Sequence, residues 1–217
     1  MKKTMLISGG SDGLGKEIAA KYTGDYRVVI LAANEEKLRS VAKEIGCEYI
    51  KCDVTRADDI ETAIRQIGKV DVLINNAGIW IEGELTGNES EKIKHVLEVN
   101  TLGTILLTKE VLKVMEKGLI INIISQGGIN AKAERSVYYA SKWAVTGFTK
   151  CLQLELAKRG IRVMGFYPGA MNTNLYAKAG FKNRDASVCL PMEEVLKGID
   201  LLLTTKVEIP QLEMMPI

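Results

Sequence analysis

The fold class this chain predicts is α/β, a doubly wound and mostly parallel sheet in a single domain. Short apolar runs alternate with longer stretches of helical periodicity along its whole length. Strand–helix alternation of that kind closes into a parallel sheet with helices on both sides. The runs are apolar without polar alternation, as strands buried on both faces require. The 217 residues suit one domain, and no repeat or low-complexity linker divides them.

The strand candidates are Met5–Ser8, Val28–Leu31, Tyr49–Cys52, Val72–Ile74, Leu119–Ile124 and Arg162–Phe166. Between them the 3.6-residue period predicts helices over Leu14–Tyr22, Glu35–Ile45, Ala57–Ile67, Glu91–Glu116 and Val137–Arg159. A last helix fits Met192–Leu203, followed by a strand at Val207–Leu212. The stretch Pro168–Pro191 is the least regular and reads as a variable lid.

Composition excludes several function classes. Hydrophobic residues make up 47% and charged residues 26%, and 29 basic against 27 acidic residues leave a net charge of +2. That balance gives no footprint for nucleic acid or an anionic membrane. The apolar stretch after Met1-Lys2-Lys3 ends at Gly9-Gly10, too short for an export signal, and no run reaches the ~18 apolar residues of a membrane span. Cys47, Cys52, Cys151 and Cys189 have no Cys-x-x-Cys spacing, and His95 is the single histidine. No metal site is expected, and free thiols fit a reducing cytoplasm.

Tyr138 and Lys142 stand four residues apart in a predicted helix, hence on one face. A lysine ammonium favours the charged form of a neighbouring phenol and so is expected to lower its pKa, making Tyr138 an acid/base candidate. The same spacing also occurs on surface helices that do no chemistry. Tyr139 competes for the role and reads as a packing residue lining the site. The loop Ser8-Gly9-Gly10-Ser11-Asp12-Gly13-Leu14-Gly15 lies between the first strand and the first helix. Glycines there let backbone approach a pyrophosphate, and a helix N-terminus offers free N–H groups and a positive dipole end. The alternative is a flexible turn.

Together these segments resemble the short-chain dehydrogenases/reductases, in particular their single-domain members with a Rossmann-type fold. Ser8–Gly15 resembles that family's Thr-Gly-x-x-x-Gly-x-Gly loop, with Ser8 in place of Thr. Asn75-Asn76-Ala77-Gly78 matches its Asn-Asn-Ala-Gly, and Tyr138–Lys142 its Tyr-x-x-x-Lys. Ser125, thirteen residues before Tyr138, stands where the family carries a catalytic serine. Asn100 matches its helix asparagine, and Pro168-Gly169 with Thr173 resembles the turn that flanks the nicotinamide.

The resemblance implies an NAD(P)-dependent oxidoreductase that interconverts a carbonyl and an alcohol. Tyr138 would be the general acid/base. Lys142 would lower the Tyr138 pKa and grip the nicotinamide ribose. Ser125 would hold the substrate oxygen, and Asn100 a proton-relay water. Gly9, Ser11, Asp12, Gly13, Leu14 and Gly15 would cradle the cofactor. Ala33, Asn34, Asp53, Val54, Asn76, Ala77, Gly78, Pro168, Gly169 and Thr173 would line the rest of its site.

Cofactor choice stays open. NAD-users of the family place an acidic residue near Ala32, NADP-users an arginine near Ala33, and this chain has neither. Asp12 would repel a 2′-phosphate unless Lys16 or Lys37 compensates. Trp80 is expected either to line the substrate region or to pack, and Lys178, Lys182 and Arg184 to form a solvated lid face. A regulatory protein that binds nicotinamide dinucleotide without turnover is the alternative function, with an epimerase or dehydratase on the same fold as a further rival. Apolar residues wrap more than one stripe of the helix Val137–Arg159, and with the helix from Thr101 to Glu116 they predict a homodimer or homotetramer.

Overall fold

The computed structural model describes residues 1–182 and 185–217. In chain order the strands are β1 (Thr4–Ser8), β2 (Arg27–Ala32), β3 (Glu48–Lys51), β4 (Val72–Asn75), β5 (Gly118–Ile123), β6 (Ile161–Pro168) and β7 (Gln211–Met214). They form one sheet in the order β3-β2-β1-β4-β5-β6-β7, with every pairing parallel. The order reverses between β1 and β4, and a crevice opens there beyond the strand C-termini. All five residues of β1 and all four of β4 are buried, as their unbroken apolar runs predict.

The helices are α1 (Gly13–Tyr22), α2 (Glu35–Ile45), α3 (Ala57–Ile67), α4 (Ser90–Leu97), α5 (Gly103–Val111), α6 (Ser136–Leu156), α7 (Leu175–Lys178) and α8 (Met192–Thr204). One apolar layer packs Ile18, Leu38, Phe166 and Ile199 on one face of the sheet, and a second packs Ile60, Leu107, Leu152 and Val163 on the other. The sheet is therefore covered twice, as the doubly wound reading requires.

Three predicted elements need correction. The long helix 91–116 is α4 and α5 joined by a π-helical turn at Glu98–Leu102, and it ends at Val111 rather than Glu116. That extra residue per turn aims Asn100, 1% exposed, inward. Gly103 follows the turn directly, but a single glycine inside an apolar helical pattern did not interrupt the periodicity. The last strand begins at Gln211 rather than Val207, because Val207 is exposed and pairing with β6 starts at Gln211 opposite Gly165. The lid contains the short α7 and a bridge between Met171 and Leu190, while Arg184 lies outside the described residues.

Among the described residues no helix is long and apolar enough to cross a membrane, and no cluster could hold a metal ion. All four cysteines are free. His95 is exposed, as a solvated helix histidine should be.

Candidate active site

The cleft beyond the strand ends gathers most of the predicted residues. Gly9, Ser11, Asp12, Gly13, Leu14, Asn76, Gly78, Ser125, Tyr138, Lys142, Pro168, Gly169 and Thr173 all line it. Trp80 and Tyr139 line it as well, as the first was expected to do on one of its two readings and the second on its only one.

One wall is the glycine loop. Asp12 caps α1, its Oδ1 accepting from the Gly13 N–H at 2.8 Å. Gly9 has φ +66, and a Cβ there would lie 2.9 Å from Ala77 Cα. Gly15 stands behind the cleft, where a Cβ would meet the Gly9 carbonyl and sit 2.5 Å from Asn76 Nδ2. Asn76 secures this contact by donating Nδ2 to Ser8 O at 3.0 Å and Gly9 O at 3.2 Å. The Ser8 hydroxyl accepts from the Asn76 and Ala77 N–H groups, both at 3.0 Å. The glycine loop and the Asn75–Gly78 turn are thus one unit: the Ser8 hydroxyl supplies the oxygen that joins them.

The other wall is α6. Tyr138 is 4% exposed and Lys142 5%. The Lys142 ammonium donates to Ile123 O at 3.1 Å and lies 5.8 Å from the Tyr138 ring centre. Burial draws the Lys142 pKa down to about 8. The expectation that Lys142 depresses the Tyr138 pKa does not hold in this arrangement. Burial drives the Tyr138 hydroxyl well above the ordinary tyrosine range, and a hydrogen bond with Ser125 works against that rise. Ser125 has φ 127, a strained backbone for a non-glycine residue, at the tip of β5. Its Oγ accepts from the Gly127 N–H at 3.1 Å.

Asn100 braces the wall from behind. Its Oδ1 accepts from the Ile79 N–H at 2.8 Å, and its Nδ2 donates to Ile79 O and Ser141 Oγ, both at 3.0 Å. The Ser141 hydroxyl in turn donates to Tyr138 O at 2.6 Å. A Cβ on Gly78 would stand in ordinary contact, 3.4 Å from Asn100 Oδ1 and 3.7 Å from Lys142 Nζ, so the β4 loop passes close to both side chains. Asn100 does not bond backbone within its own helix; it ties the β4 loop to α6.

Four predicted residues stand apart from the cleft. The Asp53 carboxylate accepts from Thr55 N–H and Oγ at 2.9 and 2.8 Å, a strand-end turn. Val54 packs against Gly103 of α5. Ala33 is exposed after β2, and Asn34 caps α2 through the Lys37 N–H at 2.9 Å. Asp12 is compensated twice, by Lys37 and by Lys178 of α7, each at 2.6 Å, while Lys16 pairs with Glu44 instead. Burial raises the Asp12 pKa, but the Lys178 and Lys37 bonds and the Gly13 N–H outweigh it, holding the carboxyl well below the usual range. Lys178 is thus a cleft residue tied to the glycine loop and not a free lid cation.

Gln126 and Arg135 line the cleft too, at the two ends of the loop on which sequence reasoning placed the choice of substrate without giving either residue a role. It missed the packing of Trp80 on Tyr138, ring centres 4.2 Å apart, and on Tyr176, 4.8 Å apart. An arginine three residues before Tyr138, on the same helical side, was the available signal.

A doubly wound sheet with a glycine cradle at its switch point and a buried Tyr/Lys/Ser/Asn cluster opposite defines a dinucleotide-type oxidoreductase class. Residues 3–183 match the short chain dehydrogenase family, and the chain belongs to it. Carbonyl reductase family member 4 of Xenopus laevis is 34% identical over 218 residues, covering 94% of this chain and 92% of that protein. Among solved structures, an actinorhodin polyketide ketoreductase with NADPH is 30% identical, with a TM-score of 0.89 over 99% of this chain and 96% of that one. A 3-ketoacyl-(acyl-carrier-protein) reductase from Brucella melitensis, complexed with NADH, is 26% identical, with a TM-score of 0.88 over 99% and 97%.

Proposed function

We propose that this chain is an NAD(P)-dependent reductase of carbonyl compounds, reversible as an alcohol dehydrogenase, with Tyr138 as its general acid and base. The observation that carries this reading is the single cleft in which Ser125, Tyr138 and Lys142 face the glycine loop. The relatives' names, a carbonyl reductase and two ketoreductases, point the same way.

The cleft fits a dinucleotide. The tight Gly9 and Gly15 contacts keep backbone where a pyrophosphate needs it, and α1 begins there with free N–H groups. Gly9, Ser11, Gly13 and Leu14 would hold the pyrophosphate, Lys142 the nicotinamide ribose, and Pro168, Gly169 and Thr173 the nicotinamide side. The bound cofactor supplies or takes the hydride.

The chain's own residues handle the proton and the geometry. Tyr138 Oη donates its proton to the carbonyl oxygen in reduction and takes one from the alcohol in oxidation. Its high pKa keeps it protonated, the form reduction uses. Ser125 Oγ, bonded to the Tyr138 hydroxyl, holds the same substrate oxygen and aligns it. Lys142, its pKa near 8, is poised to return a proton to the tyrosinate. Asn100 is a positioning residue that fixes α6 through Ser141. Trp80, packed on both Tyr138 and Tyr176, supplies an aromatic wall beside the proton donor.

Exposed Trp143 (51%), Leu154 (82%) and Leu102 (43%) favour self-association through α5 and α6. Gly147, on the same side of α6, has open space where a Cβ would be, so a partner helix could approach closely. The test of function is a panel of ketones, aldehydes and alcohols, followed by nicotinamide absorbance with NADH and NADPH separately. Turnover of carbonyls with either cofactor supports the reading. Tight dinucleotide binding with no turnover across the panel favours the regulatory alternative.

A further inference from the structure

Two buried nitrogens in the cleft, Gln126 Nε2 and Arg135 Nε, have no hydrogen-bond partner among the described residues. Both side chains line the same cavity as Tyr138. Burying a donor without an acceptor is costly, so such groups mark a place where a ligand atom belongs.

Arg135 is held rigidly. Its Nη2 donates to Glu82 Oε1 at 3.1 Å, with side chains only 10% and 24% exposed. Glu82 Oε2 accepts from Trp80 Nε1 at 3.1 Å. The guanidinium carbon lies 5.2 Å from the Trp80 ring centre, and that ring packs on Tyr138. The guanidinium is therefore fixed relative to the proton donor, which a specificity element must be.

The chemistry of the pair selects the ligand group. Arg Nε–H can only donate, and the Gln126 amide can turn its NH₂ toward an acceptor. The Arg135 charge is already matched by Glu82, so a carboxylate arriving at Nε would face the Glu82 anion. A neutral carbonyl oxygen would not. The surrounding walls are aromatic: Trp80, Tyr138, Tyr139 and Tyr176.

We propose that Arg135 and Gln126 bind a second, neutral carbonyl oxygen of the substrate, such as that of an ester, thioester or amide, while Tyr138 protonates the reacting carbonyl. The inference rests on the carbonyl-reductase reading and adds the substrate class to it. Substrates are then ketones that carry a further acyl group, and the acyl oxygen fixes which way the ketone lies.

The test uses three aryl ketones: methyl 3-benzoylpropanoate, its free acid 3-benzoylpropanoate, and hexanophenone, which matches the ester in chain length and lacks the second carbonyl. The expected result is a kcat/KM for the ester at least about tenfold above hexanophenone, mainly through KM. Arg135→Met should cut that ratio by about tenfold and Gln126→Leu by several-fold, with the NAD(P)H dissociation constant unchanged. Gln126→Leu leaves the Glu82 ion pair intact and carries the test if Arg135→Met does not fold. An unchanged ratio in the folded variants overturns the proposal. So does a wild-type preference for the free acid, or turnover of other ketones but none of these three. No turnover of any ketone overturns the parent reading instead.

Discussion

Gly15→Ala places one methyl group at the most crowded point of the glycine loop. Its Cβ would fall against the Gly9 carbonyl oxygen, 3.0 Å from Gly9 C and 2.5 Å from Asn76 Nδ2. Neither neighbour can retreat. Gly9 is pinned at φ +66 against Ala77, and the Asn76 amide holds the Ser8 and Gly9 carbonyls. Alanine in a helix gains about 1 kcal/mol over glycine. Against that, overpacking costs about 1–3 kcal/mol, and each strained hydrogen bond of Asn76 about 0.5–1.5 kcal/mol. The net is a loss of about 1–3 kcal/mol. For a domain of this size each kcal/mol shifts Tm by roughly 2–4 °C, so a fall of about 2–12 °C is expected in a thermal melt. Because the displaced backbone is the proposed pyrophosphate cradle, fluorescence titration should show NADH or NADPH binding weakened about tenfold or more. A Tm equal to or above wild type would refute the packing argument. A lowered Tm with unchanged cofactor affinity would refute the placement of the cofactor on this loop.

Lys142→Met removes a buried group whose pKa falls from 10.5 to about 8 on folding. The depressed value means the buried charge is a penalty, fully present below pH 8 and relieved as pH rises toward 10.5, where the unfolded chain still holds the proton. Wild type should therefore gain on the variant by up to about 3 kcal/mol between pH 7.5 and 10 in denaturant titrations; a constant gap would remove the buried-lysine account. Ala33→Arg adds a cation at the exposed end of β2 and should shift the kcat/KM ratio toward NADPH, whereas Ala32→Asp should shift it toward NADH; no change in either ratio would place the adenosine elsewhere. Light scattering should give a mass of two or four times 23.9 kDa, and Trp143→Glu or Leu154→Glu should lower it. A monomer in wild type would show that this apolar face stays solvated.

What could be read in advance follows the range of the interactions involved. Strands β1, β2, β4, β5 and β6 are buried on both faces, and apolar residues dominate them, with Asn122 inside β5 and Arg162 and Gly165 inside β6. Strand β7 is only half-buried, with the pattern Gln211-Leu212-Glu213-Met214, and its register depends on β6 across the fold. The π-helical turn at Asn100 has a local cause that sequence hides. The asparagine is satisfied by Ile79 and Ser141, more than twenty residues away on either side. The cleft residues that motifs carry, from Gly9 to Thr173, converge as the resemblance implies. The ion pairs that shape the cleft, Asp12 with Lys178 and Arg135 with Glu82, join segments far apart in the chain, and no periodicity encodes them. The tyrosine pKa was misjudged for a related reason. The lysine is close along the helix, but burial sets the shift, and Ile123 holds the lysine's ammonium.

Tyr138→Phe tests the assignment of the proton donor with the least disturbance elsewhere. The ring keeps its contact with Trp80 at 4.2 Å, and only the hydroxyl bonded to Ser125 is lost. General acid catalysis is worth about 10²–10⁴-fold, so kcat for carbonyl reduction should fall by that factor while NAD(P)H binding stays at the wild-type level. Turnover close to wild type in the Phe variant would contradict the account and move the proton donor to another residue of the cleft, with Tyr139 the first to be tried.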